Sequence, residues 1–287
     1  MKAVGFQQPG PIERRDALQD ITLEKPVAHG RDLLVEIKAV SVNPVDTKVR
    51  ANRQPQPDSW EILGYDAVGV VNVIGPEVEY FKVGDEVFYA GVINRPGTNS
   101  EFHLVDERIV GRKPTNLSAS EVAALPLTAI TAWEMLFSRL EVTRPTVEGG
   151  KLILVIGGAG GVGSITLQLL RAMTDLKIIT TASRPETKHW VIDSGANHVI
   201  DHSQPLVPQV EALGLGKPGF VFSTTQTDRH YGDIVELIAP QGRFGLIDDP
   251  PTLDAKPLKM KSISLHWELM FTRRSLALRI SKSNVLY

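Results

Sequence analysis

The chain has 287 residues and no cysteine, with 31 Lys and Arg side chains against 33 Asp and Glu side chains. Its length predicts about two domains, and its net charge of −2 argues against nucleic-acid binding as the main function. The missing cysteines exclude disulfides, thiolate nucleophiles, iron–sulfur clusters and cysteine-bound zinc. No signal-peptide core follows Met1, which predicts a cytoplasmic protein. Leu152–Leu170 is uncharged, yet five central glycines argue against a membrane helix.

The first half of the chain is predicted to consist of short β-strands. Gly and Pro residues separate the strand-like runs Lys2–Phe6, Asp32–Val42, Ala67–Ile74 and Ser100–Asp106. A short helix from about Val45 to Ala51 interrupts these runs. Because no long helices alternate with the strands, we expect an antiparallel barrel or sandwich.

The pattern changes after Asn116. Ser118 and Glu121 form an S-x-x-E capping box, which predicts a helical run to about Leu140 that Pro126 breaks or kinks. Apolar strand-like runs follow at Leu152–Ile156, Lys177–Ala182, His198–Ile200, Phe220–Ser223 and Arg243–Ile247. Helical runs alternate with them at Val162–Met173, Glu186–Ser194, Pro205–Leu213 and Arg229–Ile238. Such alternation is typical of a doubly wound α/β domain with a parallel sheet.

A glycine-rich loop follows the first of these apolar strands. It contains G-x-G-x-x-G in the run Gly158, Ala159, Gly160, Gly161, Val162 and Gly163. Glycines there allow a sharp turn, the approach of a pyrophosphate to backbone N–H groups, and close helix–strand packing. The strand before the loop and the helix after it supply the context that the motif requires. The alternative is a glycine-rich turn without a ligand, and a Walker A loop is excluded because no Gly-Lys-Ser/Thr follows.

The second strand of this region indicates which cofactor binds. An NAD site usually places Asp or Glu about 20 residues past the glycines, whereas this chain has Ser183 and Arg184 there. Ser183 can donate a hydrogen bond, Arg184 can pair with a 2′-phosphate, and no carboxylate repels that phosphate. We therefore expect NADPH rather than NADH, with Lys188 as a further contact one helical turn on. The alternative is that Arg184 is a solvated loop residue.

Three separated segments carry a family resemblance. They are the glycine loop, the run Ala123–Trp133 with the sequence AALPLTAITAW, and the run Val40–Asp46 with the sequence VSVNPVD. Together they resemble the medium-chain dehydrogenase/reductase superfamily, and within it the quinone oxidoreductase branch that includes proteins labelled zinc-type alcohol dehydrogenase-like. The resemblance implies an α/β protein with a GroES-like antiparallel β-barrel catalytic domain at residues 1–117 and a doubly wound Rossmann domain at 118–257. It also implies a nicotinamide in the cleft between them.

The resemblance raises the question of zinc. In the alcohol dehydrogenase branch, ligands stand at the positions that Asn43, Tyr65 and a residue near Pro126 occupy in this chain. A catalytic zinc takes three N, S or O ligands and an open position, and the nearby Asp46 and Asp66 without His or Cys suit it poorly. We therefore expect no zinc. Without a metal, hydride transfer to a quinone or an α,β-unsaturated carbonyl is easier than oxidation of a simple alcohol.

The resemblance also implies roles for particular side chains. Asn43 lines the nicotinamide cleft, Thr128 hydrogen-bonds on the nicotinamide side, and Tyr65 either donates a hydrogen bond to the acceptor oxygen or is a packed cleft tyrosine. By analogy, Thr224 and Ile247 contact the nucleotide at the carboxyl edge of the parallel sheet.

These observations predict a zinc-independent, NADPH-dependent reductase of quinones or α,β-unsaturated carbonyls. The alternatives are a zinc-type alcohol dehydrogenase and an NADPH-binding protein without catalysis. The expected partner is a small molecule, with no nucleic acid and no membrane, and pairing of family members through Rossmann edge strands implies a homodimer. The basic segment 258–287 fits neither structural pattern, and the family match fades after Arg273. We expect this segment to be a partial, truncated return to the catalytic domain, which leaves the activity open.

Overall fold

The computed structural model describes residues 1–146 and 148–275. The chain divides into two compact units, one formed by Met1–Leu127 with the segment that begins at Met270, the other by Thr128–Leu269. The domain limits expected at residues 117 and 257 stay predictions, and the expected truncated tail lies outside the described residues from position 276 onward. Within the described part of the chain, no helix combines the length and the apolar character that a bilayer crossing requires.

The first unit is built mainly from antiparallel strands. Its elements are β1 (Lys2–Phe6), β2 (Gln19–Thr22), β3 (Asp32–Ser41), α1 (Pro44–Asn52), β4 (Glu61–Ile62), β5 (Asp66–Ile74), β6 (Glu86–Ala90), β7 (Phe102–Asp106), β8 (Gly111–Arg112) and α2 (Ala119–Ala123). One sheet has the order β2-β1-β4 and the other β7-β3-β5-β6-β8. All neighbouring strands are antiparallel. The antiparallel architecture expected from the sequence is therefore confirmed.

Apolar side chains from the longer strands form the core of the first unit. Leu33 and Val35 of β3 are fully buried and belong to one cluster with Val71, Val87 and Val105 from neighbouring strands. Leu33 and Val35 are two residues apart and lie on the same face of the strand. Both residues belong to the strand-like run Asp32–Val42 that was expected from the sequence.

A buried polar pair also lies in this unit, between Tyr89 of β6 and His103 of β7. The His103 Nε2 atom lies 3.0 Å from the carbonyl oxygen of Pro96, so it donates there and leaves Nδ1 as an acceptor. The Tyr89 hydroxyl lies 3.0 Å from that Nδ1 atom. Burial lowers the pKa of His103 to about 4, which keeps the ring neutral. All polar atoms of this pair are satisfied within the unit.

Helix α2 begins with the predicted capping box. The Ser118 N–H donates to Glu121 Oε2 at 2.8 Å, and the Glu121 N–H donates to Ser118 Oγ at 3.3 Å. The next helix, α3 (Pro126–Trp133), begins at the proline and continues into a π-helical turn at Glu134–Arg139. The predicted break at Pro126 is confirmed, because a residue without an N–H fits the first turn of a helix but not its interior.

The second unit holds a parallel sheet. Its remaining elements are β9 (Leu152–Ile156), α4 (Gly161–Met173), β10 (Lys177–Thr181), α5 (Pro185–Asp193), β11 (His198–Ile200), α6 (Leu206–Ala212), β12 (Phe220–Ser223), α7 (Thr227–Leu237), β13 (Arg243–Leu246), α8 (Lys256–Lys259) and β14 (Ser264–Trp267). A last short helix, α9 (Thr272–Ser275), follows in the first unit. The strand order is β11-β10-β9-β12-β13-β14, with all pairs parallel. This is the order of a Rossmann sheet.

The central strand β9 contributes to two separate hydrophobic cores. Ile153 and Val155 belong to one cluster, which includes Leu167 of α4. Leu154 belongs to the other, which includes Ile234 of α7. Successive side chains of a strand point to opposite faces, so apolar residues are needed on both faces where helices cover both.

The sequence pattern missed several short strands. Strands β2, β4, β6 and β8 were not expected in the first unit, and the segment after Leu258 was assigned no strand although it contains β14. Strand β14 is four residues long and pairs with β13, where Phe244 lies opposite Leu265. A four-residue strand with polar Ser264 and His266 carries no local signal, because its pairing depends on a neighbour distant in sequence.

Candidate functional site

The glycine loop between β9 and α4 has no room for side chains at two of its motif positions. A Cβ atom on Gly158 would lie 2.0 Å from Thr180 Oγ1, and one on Gly163 would lie 2.2 Å from the carbonyl oxygen of Gly157. At Gly160, in contrast, the nearest described atom would be the same carbonyl oxygen at 3.4 Å. Two glycines therefore allow close packing, and the middle one leaves space in front of the helix.

That space lies at the N-terminus of α4, which begins at Gly161. The first N–H groups of a helix have no intrahelical acceptor and favour an anion. Side chains from neighbouring strands hold the loop: the Gly157 N–H donates to Thr181 Oγ1 at 2.9 Å, and Thr224 Oγ1 donates to the carbonyl oxygen of Ile156 at 2.8 Å. A free space beside donors is what a dinucleotide pyrophosphate requires, so these residues fit the expected cofactor.

Two other expected residues also lie at this edge of the parallel sheet. The Thr128 methyl carbon would be 3.3 Å from a Cβ atom on Gly161, so Thr128 borders the glycine loop. Ile247 directly follows β13 and packs partly against the core. The next residue, Asp248, accepts from the Thr227 N–H at 2.8 Å and from the Thr227 hydroxyl, which fixes the start of α7.

The expected phosphate-recognition residues follow β10. Ser183 is half-buried, and Arg184 is exposed at the start of α5. Lys188 Nζ lies 3.2 Å from Asp201 Oδ2. Lys188 therefore already has an acidic partner, which the sequence pattern did not single out, and the exposed guanidinium of Arg184 is the group best suited to a 2′-phosphate.

In the first unit, Asn43 belongs to a buried network with two carboxylates. Its side-chain Nδ2 donates to Asp66 Oδ2 at 2.8 Å, and its backbone N–H donates to Asp46 Oδ2 at 2.8 Å. The other oxygen of Asp46 accepts from the Gly64 N–H at 2.9 Å. Asp46 therefore joins the start of α1 to Gly64, so Tyr65 directly follows a residue of the network that contains Asn43.

Both carboxyl groups are shielded from solvent. Burial raises the pKa of Asp66 to about 6, against the hydrogen bonds from Ser41, Asn43 and Leu127, which lower it. Burial likewise raises the pKa of Asp46, against its backbone donors. Asp66 is therefore ionised at neutral pH and within reach of protonation in mildly acidic solution.

Tyr65 has a buried hydroxyl group that forms no hydrogen bond with the described residues. The residue is 1% exposed, and its ring packs edge-on against Phe271, with centroids 5.1 Å apart. Burial raises the pKa of Tyr65 to about 12, and the Arg53 guanidinium, which lies near the hydroxyl but outside full hydrogen-bond geometry, opposes the rise. A buried, protonated O–H group without a hydrogen-bond partner is costly, which makes the Tyr65 hydroxyl a candidate donor.

The donors present do not fit a catalytic zinc ion. In the described part of the chain, no three His, Cys, Asp or Glu side chains lie together as a metal site. The oxygens of Asp46 and Asp66 already accept from N–H and O–H groups. Zinc needs at least three deprotonated ligands, and the surroundings of Asn43 and Tyr65 do not supply them.

Several residues of these sites carried little sequence signal. Thr180 and Thr181 lie in a strand that was noted only as apolar, although both side chains contact the glycine loop. Two polar residues in a buried strand were the available signal. Asp248 follows β13 in the same way, and its role depends on Thr227, which is 21 residues away.

Two family models match the chain. The alcohol dehydrogenase GroES-like domain matches residues 29–115, and the zinc-binding dehydrogenase family matches residues 161–277. The chain is 41% identical over 275 residues to a zinc-type alcohol dehydrogenase-like protein of Staphylococcus aureus, across 95% of this chain and 81% of the relative. It is 34% identical over 262 residues to the chloroplastic NADPH-dependent alkenal/one oxidoreductase of Arabidopsis thaliana, across 78% and 64% of the two chains.

Solved structures give the same relationship. A putative zinc-dependent alcohol dehydrogenase protein from Rhizobium etli is 59% identical and has a TM-score of 0.95, across 97% of this chain and 81% of that chain. A quinone oxidoreductase from Pseudomonas syringae is 27% identical, with a TM-score of 0.81 across 96% and 83% of the two chains.

A GroES-like unit in the same chain as a Rossmann unit defines a dehydrogenase or reductase. The chain belongs to the medium-chain dehydrogenase/reductase superfamily of oxidoreductases, in its quinone oxidoreductase branch. The word zinc in several of these names contrasts with the donor set around Asn43 and Tyr65.

Proposed function

We propose that this protein is an NADPH-dependent reductase that transfers hydride to a quinone or an α,β-unsaturated carbonyl without zinc. One observation carries the proposal: the Tyr65 hydroxyl is buried, protonated and without a hydrogen-bond partner among the described residues. By the family resemblance, this position holds a metal ligand in the zinc branch. An O–H donor can stabilise negative charge on an acceptor oxygen in place of a metal ion. The similarity to the Arabidopsis alkenal/one oxidoreductase and to the Pseudomonas quinone oxidoreductase supports the same substrate classes.

The residues of the chain divide the work between binding and charge stabilisation. NADPH, when bound, supplies a hydride to an electrophilic carbon of the acceptor. As that carbon gains the electron pair, negative charge develops on the acceptor's carbonyl oxygen, and the Tyr65 O–H donates a hydrogen bond to it. Asn43 and Thr128 orient the nicotinamide, and orientation alone supplies much of the rate.

The preference for NADPH rests on the residues after β10. The exposed guanidinium of Arg184 offers a forked donor that suits a phosphate, and the half-buried Ser183 adds a hydroxyl. No Asp or Glu is present at positions 180–185 to bind the ribose diol of NADH or to repel a 2′-phosphate. The remaining nucleotide contacts are assigned to Gly158–Gly163, Lys188, Thr224 and Ile247.

We also infer a homodimer that forms through β14. This strand lies at one edge of the parallel sheet, and an edge strand presents unpaired N–H and C=O groups. Trp267 and Leu269 are more than half exposed beside it. Sedimentation of the protein at several concentrations tests this inference, and a species of monomer mass throughout would contradict it. A cytoplasmic location stays a prediction.

A turnover experiment tests the proposed reaction. NADPH oxidation is followed with a panel of quinones, enones and simple aldehydes, with and without a chelator. We expect turnover of quinones or enones that the chelator does not change. Chelator-sensitive turnover of simple alcohols and aldehydes would support the zinc alternative, and tight NADPH binding without turnover of any acceptor would support a non-catalytic protein.

The role of Tyr65 is tested with a matched pair of buried tyrosines. Tyr65→Phe removes an unpaired hydroxyl, so we expect kcat to fall by about 10²–10³-fold while stability stays equal or rises by about 1 kcal/mol. Tyr89→Phe removes the hydroxyl that His103 binds, so we expect a stability loss of about 1–3 kcal/mol with kcat unchanged. Equal kcat for the Tyr65→Phe variant and the wild type would contradict the assignment.

A further inference from the structure

Asp66, the first residue of β5, connects three separate parts of the first unit. Its Oδ2 atom accepts from Ser41 Oγ at 2.7 Å and from Asn43 Nδ2 at 2.8 Å, and its Oδ1 atom accepts from the Leu127 N–H at 2.8 Å. Its backbone carbonyl oxygen accepts from Thr98 Oγ1 at 2.9 Å. The residue is fully buried. A single carboxylate therefore joins the end of β3, the residue before α1 and the first turn of α3.

The chemistry of a carboxylate determines how Asn43 is oriented. An ionised carboxylate only accepts hydrogen bonds, whereas the Asn amide has a donating NH2 group and an accepting oxygen. Reversal of the Asn43 amide would bring its Oδ1 atom against the Asp66 oxygens, which is repulsive. Asp66 therefore holds the NH2 group of Asn43 toward β5, and the amide oxygen of Asn43 faces the first turn of α1, where the Asp46 backbone N–H caps onto it.

The same carboxylate fixes where α3 begins. Leu127 is the second residue of α3, and its N–H group is one of the helix donors without an intrahelical acceptor. Thr128, which we assign to the nicotinamide, is the next residue of that helix. The two contacts of Asp66 thus act on Asn43 and on Leu127, the residue directly before Thr128.

We propose that Asp66 is a positioning residue, whose carboxylate fixes the orientation of the Asn43 amide and holds the Leu127 N–H at the start of α3. The expected effect on kcat rests on the proposed reductase function. The expected effect on the orientation of the Asn43 amide does not depend on that function. Neighbouring Asp46 binds only backbone N–H groups through its side-chain oxygens in the described structure, so it does not select an orientation of the amide.

The test uses Asp66→Asn, since an amide at this position must turn its NH2 group toward either Asn43 or the Leu127 N–H. Because the backbone N–H of Leu127 can only donate, the NH2 group is expected to face Asn43, where donor would meet donor unless the Asn43 amide reverses. We expect kcat to fall by roughly 10- to 100-fold, more than the affinity for NADPH falls. We also expect a shift of the Asn43 side-chain amide signal in a ¹⁵N–¹H spectrum, assigned by its loss in the Asn43→Ala variant.

Glu107→Gln is the matched control. Glu107 is also a buried carboxylate of the first unit, and it accepts from the N–H groups of Glu79 and Tyr80 and from Arg31. These partners have no assigned role in the reaction. We expect this variant to lose stability while both kcat and the Asn43 signal remain unchanged.

A reciprocal pair keeps the inference testable if Asp66→Asn does not fold. The double variant Asn43→Asp with Asp66→Asn restores one donor and one acceptor across the same contact, so it should fold, but it presents a different group to the nicotinamide. We expect kcat to stay low in it. Full recovery of kcat, equal kcat losses in Asp66→Asn and Glu107→Gln, or an unmoved Asn43 signal would each overturn the inference. A moved signal in a protein that turns over no acceptor would support the positioning role and contradict the proposed function.

Discussion

The two units build their candidate sites from different materials. In the second unit, the nucleotide site consists of backbone N–H groups around glycines, with threonine side chains behind them. In the first unit, Asn43 and Gly64, the residue before Tyr65, are held by the buried side chains of Asp46 and Asp66. A site made of backbone fails when atoms are added, whereas a site made of side chains fails when a charge or a hydrogen bond is changed.

The largest effect is expected from an added atom in the glycine loop. A Cβ atom at Gly163 would overlap the backbone of Gly157 and Gly158, which cannot move aside as a side chain can. We expect Gly163→Ala to raise the Kd for NADPH by about 100-fold, or about 2.8 kcal/mol. Its free energy of unfolding should fall by about 1–3 kcal/mol. Isothermal titration and urea unfolding measure these quantities.

Gly232→Ala provides the control for this prediction. Gly232 lies inside α7, and nothing is within 4 Å of the position of an added Cβ atom. We expect this variant to be more stable by about 1 kcal/mol, because alanine favours a helix, and to bind NADPH normally. A similar loss of NADPH affinity in both alanine variants would contradict the distinction between a site made of backbone and a site made of side chains.

The next effect concerns a charge in the first unit. The pKa of Asp66 is raised from 3.8 to about 6, so the folded protein binds this proton more tightly than the unfolded chain. The contribution of Asp66 to stability therefore falls as pH rises from about 4 to about 6, by about 3 kcal/mol. Asp66→Asn should lack this fall in unfolding experiments across that range.

Ser41→Ala sharpens the same measurement. The Ser41 hydroxyl lowers the pKa of Asp66, so its removal should extend the fall in stability to higher pH. If the wild type and Asp66→Asn show the same dependence of stability on pH, ionisation of Asp66 does not affect the stability of the first unit.

A smaller effect is expected where the second unit does use a charged side chain. Arg184→Asp should weaken NADPH binding by roughly 10- to 100-fold, because it removes a charge-assisted contact with the 2′-phosphate and adds repulsion. NADH should be affected much less. Lys151→Asp is the control. It makes the same charge change directly before the N-terminal end of β9, whereas Arg184 follows the C-terminal end of β10. Both variants are titrated with both cofactors. Equal weakening of NADPH and NADH would contradict the assignment.

The smallest effect is expected behind the glycine loop. Thr181→Val keeps the shape of a buried side chain but leaves the Gly157 N–H without its acceptor, which should cost about 1–3 kcal/mol of stability. In Thr166→Val the lost hydroxyl only donates to the Val162 carbonyl oxygen of its own helix, so we expect little change. Thermal unfolding of the two valine variants compares them, and equal stability would show that Thr181 does not support the loop.

The comparison also explains what the sequence could predict. The Rossmann architecture and the glycine loop follow from local patterns, because apolar strands, helices and glycines occur in a fixed order along a short stretch. The contacts of Asp66 join residues 25 and 61 positions away from it, and no local pattern encodes them. The family resemblance identified Asn43 and Tyr65 as candidates, but it did not predict that the Tyr65 hydroxyl is unpaired or that Asp66 orients Asn43.

Strand β14 illustrates the same limit for the fold. Its four residues are half polar, and only pairing with β13 makes them a strand. Pairing between distant strands is a property of the folded chain, so the local sequence did not predict β14. For the apolar strand β9, in contrast, the local sequence predicted both ends.

The contact between Tyr65 and Phe271 has a consequence for how the protein is made. Both residues belong to the first unit, although the whole second unit lies between them in the chain. During synthesis from the N-terminus, the ribosome therefore completes Thr128–Leu269 before the ring that packs against Tyr65 exists. The second unit therefore has all its residues available before Phe271 is made, and the surroundings of the tyrosine reach their final packing only after that residue has left the ribosome.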